Sequence, residues 1–143
     1  MWIVKPFNQL NTQELFLIYQ ARTTVFVVEQ NCPYQEVDDD DLSAIHVFDL
    51  RDGQIAAYCR LIPTDSQVKL GRVLVSKDFR KDGLGRDLVQ KALQVAKQTA
   101  SQLPVYAQAQ AYLEKFYASF GFKATSEVYL EDDIPHLDMI LTA

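Results

Sequence analysis

Between Val68 and Pro104 a strand, a glycine-bearing loop and a long amphipathic helix follow one another without a break. Few folds accept that succession, and it has a chemical meaning. Val68 to Val75 is β-prone and reads as a strand. Lys77 to Gly85 reads as a loop. Leu84, Leu88, Val89, Ala92, Leu93 and Ala96 then recur at helical spacing. Glycines at such a turn let backbone close on an anion and aim its N–H groups at it. A helix N-terminus adds free N–H groups and the positive end of a dipole. Arg80, Lys81 and Arg86 add charge. This is what a pyrophosphate needs. Gly83-Leu84-Gly85 lacks the GK[ST] ending of a Walker loop and the third glycine of a dinucleotide-binding fingerprint.

The rest of the chain reads as one domain, residues 1–143. Trp2 to Lys5 is β-prone and Pro6 ends it. Asn11 followed by Glu14 reads as a capping box, and Leu15, Ile18, Tyr19, Arg22 and Phe26 continue at helical spacing to about Val28. Gln30 to Leu42 is polar and acidic, contains Pro33, and reads as a loop. Its Asp38–Asp41 run has the look of a solvated segment. Ala44–Leu50 and Gln54–Ile62 are β-rich and flank a hairpin signal at Arg51-Asp52-Gly53. Val105–Ala109 reads as a buried strand, Ala111–Phe120 as a short helix stopped by Gly121, and Glu127–Leu130 with His136–Leu141 as a terminal hairpin. The order β-α-β-β-β-α-β-α-β-β is a mixed α/β arrangement around one sheet.

Composition removes several function classes. A formal net charge of -5 is a poor match for nucleic acid and suits a basic substrate better. The two cysteines, Cys32 and Cys59, make no disulfide framework. His46 and His136 are too far apart for metal-site spacing, so no metal is expected. No apolar run approaches the roughly 20 residues of a membrane helix, and the first residues lack a secretory pattern. A cytoplasmic protein without membrane contact is expected.

Arg80-Lys81-Asp82-Gly83-Leu84-Gly85 fits R/Q-x-x-G-x-G/A and resembles the acetyl-CoA signature of the GNAT acetyltransferases. Arg72-Val73-Leu74-Val75 resembles that family's fourth strand, and Phe116-Tyr117-Ala118-Ser119-Phe120-Gly121-Phe122 its Y-x-x-x-GF motif. The stretch Arg22 to Asp41 resembles the ElaA-type branch. The resemblance implies the GNAT fold, with direct attack of an amine on the thioester of acetyl-CoA. Backbone of Val73, Leu74 and Val75 would then meet the pantetheine arm, and the Val75 N–H would polarise the thioester carbonyl. The amides of Lys81, Asp82, Gly83, Leu84, Gly85 and Arg86, with Arg80, would hold the pyrophosphate. Tyr117 would protonate the departing thiolate. Gln110 stands where the family often has Asn, so a contact to CoA or substrate is expected to differ.

An alkylammonium has a pKa near 10, so a base is required. Glu29, Glu36, Glu127, His46 and His136 are the candidates, and the resemblance favours Glu29 because helix one and the loop after it line the acceptor side in this fold. The acceptor stays open between a small amine and a peptide or protein amine, and the assembly between monomer and homodimer. Two alternatives stand. Arg22, Phe26, Asp38, Asp41 and Arg60-Leu61-Ile62-Pro63-Thr64 resemble autoinducer synthases, although those chains are longer and lack a clear R-x-x-G-x-G loop. The other alternative is a module that binds acyl-CoA without chemistry.

Overall fold

The computed structural model describes all 143 residues, Met1–Ala143. Strand β1 (Trp2–Pro6) leads to α1 (Thr12–Arg22). The expected capping box starts that helix: Asn11 Oδ1 accepts from the Glu14 N–H at 2.7 Å, and Glu14 Oε1 accepts from the Asn11 N–H at 3.0 Å. The helix runs past its α-helical part, but Thr23–Glu29 winds as a π-helix. The β-branched residues Thr23, Thr24, Val25, Val27 and Val28 crowd a regular turn. Thr24 Oγ1 donates back to the Gln20 carbonyl at 2.9 Å. The wide winding closes as the Cys32 N–H donates to Val27 O at 3.1 Å. Such segments are rare and recur at functional sites. This one carries Glu29.

Strands β2 (Ile45–Arg51) and β3 (Gln54–Pro63) form the expected hairpin. Asp52 and Gly53 between them have φ of 52° and 72°, as a two-residue type I′ turn requires. Then come β4 (Val68–Val75), α2 (Leu84–Thr99), β5 (Val105–Gln110), α3 (Glu114–Ala118), β6 (Lys123–Ala124), β7 (Tyr129–Glu131) and β8 (Ile134–Leu141). One strand is added to the expected order. β6 is two residues long, too short for alternation to show, and takes its place by pairing with β8. The helix expected over Ala111–Phe120 is a 3-10 turn at Ala111–Leu113 followed by α3.

The sheet runs β1-β2-β3-β4-β5-β8-β6, with β7 also on β8. Every pairing is antiparallel except β4–β5. That parallel pair needs a crossover, and α2 supplies it. The α2 stripe of Leu84, Leu88, Val89, Ala92, Val95 and Ala96 packs on one face with Val47, Leu70, Ala107 and Leu137. Fully burying one such leucine or valine contributes about 1.5–3 kcal/mol. On the opposite face Ile18, Val25 and Phe26 pack with Phe48, Tyr58 and Leu74. Both cysteines are free and buried. No helix is long and apolar enough to cross a membrane.

One irregularity positions the site. Strands β4 and β5 pair only at Val68–Val105, Lys69–Tyr106 and Leu70–Ala107. Beyond these residues they part, so Gly71–Val75 keeps a free edge while its other edge stays paired to β3.

Candidate active site

A cleft of about 930 Å3 opens where β4 and β5 part. Its β4 wall presents backbone. The Ser76 N–H donates to Ala56 O at 2.9 Å, toward β3. Edge directions alternate along a strand, so Leu74 shares that direction, and the N–H groups of Val73 and Val75 point to the cleft. The Val75 carbonyl lies on the same edge and accepts from Arg80 Nε at 2.7 Å.

The N-terminus of α2 abuts this wall. Gly83 caps it at φ 70°, in the left-handed region that glycine adopts without strain, and no side chain caps the helix. The first bonds that reach back to Gly83 O come from the N–H groups of Arg86 and Asp87, at 3.1 and 3.2 Å. The preceding N–H groups, those of Leu84 and Gly85, belong to the unsatisfied first turn of the helix. A Cβ at Gly85 would lie 3.6 Å from Val75 Cγ2 and 4.0 Å from Phe116 Cζ. Gly85 therefore leaves a gap between β4, α2 and α3 that the packing alone does not demand. Arg80 and Gly85 line the cleft. The Leu84 side chain is in the core, and Lys81 and Asp82 are exposed. Arg86 turns to α3, with its guanidinium 4.7 Å over the Phe120 ring and Nη2 donating to Ser119 Oγ at 2.8 Å.

Tyr117 enters the cleft from α3. Its ring is 5% exposed and meets Phe116 and Phe122 edge-on at 5.3 and 5.6 Å. Burial pushes its phenol well above the ordinary tyrosine range, with no hydrogen bond to offset it. Gln110, at the end of β5, reaches across to Gln30, whose Oε1 accepts from Gln110 Nε2 at 3.4 Å.

The five candidate bases separate clearly. Glu29 lines the cleft, with Oε1 accepting from Arg80 Nη2 at 2.7 Å. His136 lines it too, with Nδ1 2.7 Å from the Ile134 carbonyl. That bond places the proton on Nδ1 and leaves Nε2 as an acceptor. Glu36 is buried, with its carboxylate against the Arg22 and Arg72 guanidinium groups, and does not line the cleft. His46 is fully buried, with its nitrogens on Tyr58 Oη at 2.7 Å and Asp41 O at 3.0 Å, and burial holds its pKa below the ordinary value. Glu127 lies exposed and does not line the cleft.

The expectation of a solvated Asp38–Asp41 run holds for Asp39 and Asp40, which are exposed, and is overturned at Asp38 and Asp41. Asp41 is 1% exposed, and it accepts from Arg22 Nη1 at 2.7 Å and Arg60 Nη1 at 2.9 Å. Asp38 accepts from Arg60 Nη1 at 2.6 Å. Burial alone would raise the Asp41 carboxyl, but the hydrogen bonds from Arg22 and Arg60 outweigh it and hold it below the ordinary range. Sequence reading missed this cluster, although a signal existed. Arg22 falls in the apolar stripe of α1 and Arg60 in the apolar run of β3, and a buried guanidinium requires carboxylates.

A splayed β4 edge beside an uncapped helix N-terminus is a site for an extended ligand with an anionic end, and comparison with known proteins agrees. The family described as acetyltransferase (GNAT) domain matches residues 10–143. A solved acyl-CoA N-acyltransferase from Pseudomonas aeruginosa is 47% identical and superposes with a TM-score of 0.95 over 99% of each chain. Protein ElaA of Escherichia coli is 41% identical over 137 residues, 92% of this chain and 90% of its own, and its crystal structure superposes with a TM-score of 0.95. A CoA-dependent acyl-homoserine lactone synthase, BjaI, superposes with a TM-score of 0.79 at 16% identity, a likeness of fold alone. The chain belongs to the GNAT acetyltransferase family, in the company of ElaA, and has the acyl-CoA N-acyltransferase fold.

Proposed function

We propose that this protein, a single domain acting in the cytoplasm as monomer or homodimer, transfers an acetyl group from acetyl-CoA to a primary amine by direct attack in a ternary complex. The observation that carries the reading is the free edge of Val73–Val75 set against the uncapped N-terminus of α2 in one cleft. Bound acetyl-CoA supplies a thioester whose acyl carbon accepts the amine. The backbone of Val73, Leu74 and Val75 orients the pantetheine arm. The Val75 N–H stands ready for the thioester oxygen, and one such preorganised donor is worth about 3 kcal/mol of barrier. The amides of the 81–86 turn hold the pyrophosphate with Arg80, and Gly85 keeps their approach open. Tyr117 holds its proton until the sulfur leaves, because burial keeps the phenol protonated. Glu29 takes the proton of the incoming amine. His136 is a second acceptor on the same wall, favoured by its free Nε2. Acidic cleft residues with no ion-pair partner, Asp40, Glu131 and Asp132, suit a small-molecule or peptide amine and no nucleic acid.

Calorimetry with acetyl-CoA and CoA tests the reading, for wild type and for Gly83→Arg with Gly85→Asp. Micromolar binding by wild type and its loss in the double variant support it. A wild-type protein that binds neither ligand refutes it. A protein that binds both but releases no CoA with any member of an amine library is the acyl-CoA-binding module. Lactone formation from S-adenosylmethionine and an acyl donor would instead place it with the autoinducer synthases.

A further inference from the structure

Leu70 and Leu74 lie four positions apart on β4, so a regular strand would put both on one face. Leu70 packs in the α2-side core and Leu74 in the α1-side core. The reversal has a single origin. Tyr58 pairs with Leu74 and Arg60 with Gly71, so Cys59 alone opposes Arg72 and Val73 together. This is a β-bulge, and Arg72 occupies it at φ 53°. A non-glycine residue in the left-handed region is strained and persists only where its surroundings hold it.

Those surroundings are the loop on the acceptor side of the cleft. Arg72 Nε lies 2.7 Å from Glu36 Oε2, an ion contact without hydrogen-bond alignment. Arg72 Nη2 donates to the Glu36 carbonyl at 2.9 Å and to Asp38 Oδ2 at 3.3 Å. The Tyr34 ring lies under the guanidinium at 5.6 Å. Burial and the Glu36 carboxylate outweigh Arg72, so the Tyr34 phenol is pushed up to about 12 and the ring stays neutral. Glu36 and Asp38 are fixed in turn from inside the fold. Arg22 Nε donates to both Glu36 carboxylate oxygens at 3.0 and 2.9 Å, and Arg60 donates to both Asp38 oxygens at 2.6 and 3.1 Å. Arginines from α1, β3 and β4 thus meet three carboxylates of one loop. Arg22 sits in ordinary helical backbone at φ -64°, and Arg60 is not among the residues of positive φ. Arg72 alone combines the ion contacts with a strained backbone.

We propose that Arg72 is a positioning residue: held by Tyr34, Glu36 and Asp38, it fixes the bulge that turns the Val73 and Val75 N–H groups into the cleft. What those groups serve rests on the acyl-transfer reading. Without the extra residue, every position after it would turn over. The Leu74 N–H would then face the cleft, and the Val73 and Val75 N–H groups would face β3. Tyr34, Asp38 and Arg72 themselves line the cleft. The loop that meets the acceptor therefore sets, through one side chain, the backbone that meets the donor.

Glycine adopts φ near +53° freely, so Arg72→Gly removes the ties and keeps the bulge, whereas Arg72→Ala removes the ties and keeps the strain. Two readouts decide: acetyl-CoA affinity by calorimetry and amide exchange of Val73, Leu74 and Val75 by NMR. Arg72→Ala is expected to weaken acetyl-CoA about tenfold and Arg72→Gly less than about threefold. In wild type and Arg72→Gly, the Leu74 amide is protected while those of Val73 and Val75 exchange fast; in Arg72→Ala that pattern is lost. Identical exchange patterns in the alanine and glycine variants overturn the proposal. If Arg72→Ala does not fold, Arg72→Asn, which tolerates the left-handed region, must keep the wild-type pattern, and its failure to do so is equally decisive. If wild type binds no acetyl-CoA, the acyl-transfer reading falls, and the exchange pattern still judges the role of Arg72.

Discussion

Arg80 Nη2 donates to Glu29 Oε1 at 2.7 Å, so the residue proposed to take the amine proton and one proposed to hold the pyrophosphate share an ion pair at the cleft. The side chains are 43% and 30% exposed, and a pair in such contact with water contributes only about 0–1 kcal/mol. A pyrophosphate, with more charge, can therefore draw Arg80 away at little cost and leave the carboxylate free. Glu29→Gln is expected to keep or slightly tighten acetyl-CoA binding while lowering turnover about a hundredfold. Arg80→Ala is expected to weaken acetyl-CoA about tenfold. Calorimetry and steady-state rates with the amine found by screening check both. If Glu29→Gln turns over normally and His136→Gln does not, the base is His136.

Gly85 separates ligand binding from stability. An added Cβ would meet Val75 Cγ2 and Phe116 Cζ at ordinary contact distance, and alanine within a helix is favoured over glycine by about 0.5–1 kcal/mol. Gly85→Ala should therefore unfold at the same or slightly higher urea concentration than wild type, yet bind acetyl-CoA more weakly. At Gly83 the order reverses. There is open space for a Cβ, but φ is 70°, so Gly83→Ala should lose about 1 kcal/mol of stability. Urea titrations of the two variants side by side give the comparison.

Much of this was legible in the residues. The capping box at Asn11 and Glu14, the Asp52-Gly53 turn and the extent of β4, Val68–Val75, each depend on neighbours in sequence, and each appears where it was expected. The features that escaped depend on partners far along the chain. The left-handed Arg72 shows no glycine, and what sustains it lies up to 38 residues earlier, at Tyr34. Asp38 and Asp41 looked solvated because their partners Arg22 and Arg60 come from α1 and β3. Strand β6 is two residues long and exists through pairing with β8 alone.

Tyr117 tests the leaving-group step. Its hydroxyl is the one polar group on a ring otherwise packed against Phe116 and Phe122, so Tyr117→Phe preserves that packing. Stability and acetyl-CoA affinity should stay near wild type, while turnover falls by a factor of about 10²–10⁴. Because burial raises the phenol, its proton is retained through the ordinary tyrosine range, and the wild-type rate should show no alkaline fall from this group near pH 10. A Phe variant with unchanged turnover would move the acid role elsewhere.

Acid should dismantle the loop that carries Asp38 and Asp41 in two stages. His46 is buried neutral, and burial lowers its folded pKa below the ordinary 6.5. The unfolded chain takes up that proton first, so this contribution to stability is complete above pH 6.5 and declines as pH falls from there through the folded value. Asp41 and Asp38 follow. Burial raises them, but Arg22 on Asp41 and Arg60 on both hold their folded values below the ordinary 3.8. Their contribution is complete above that value and is lost as pH falls through the folded one. Urea midpoints should therefore drop in a first step below pH 6.5 and a steeper one below pH 3.8. His46→Gln, which keeps a hydrogen-bonding side chain without a titrating ring, should abolish the first step and leave the second. A single transition shared by wild type and variant would show that the cluster does not govern the acid response.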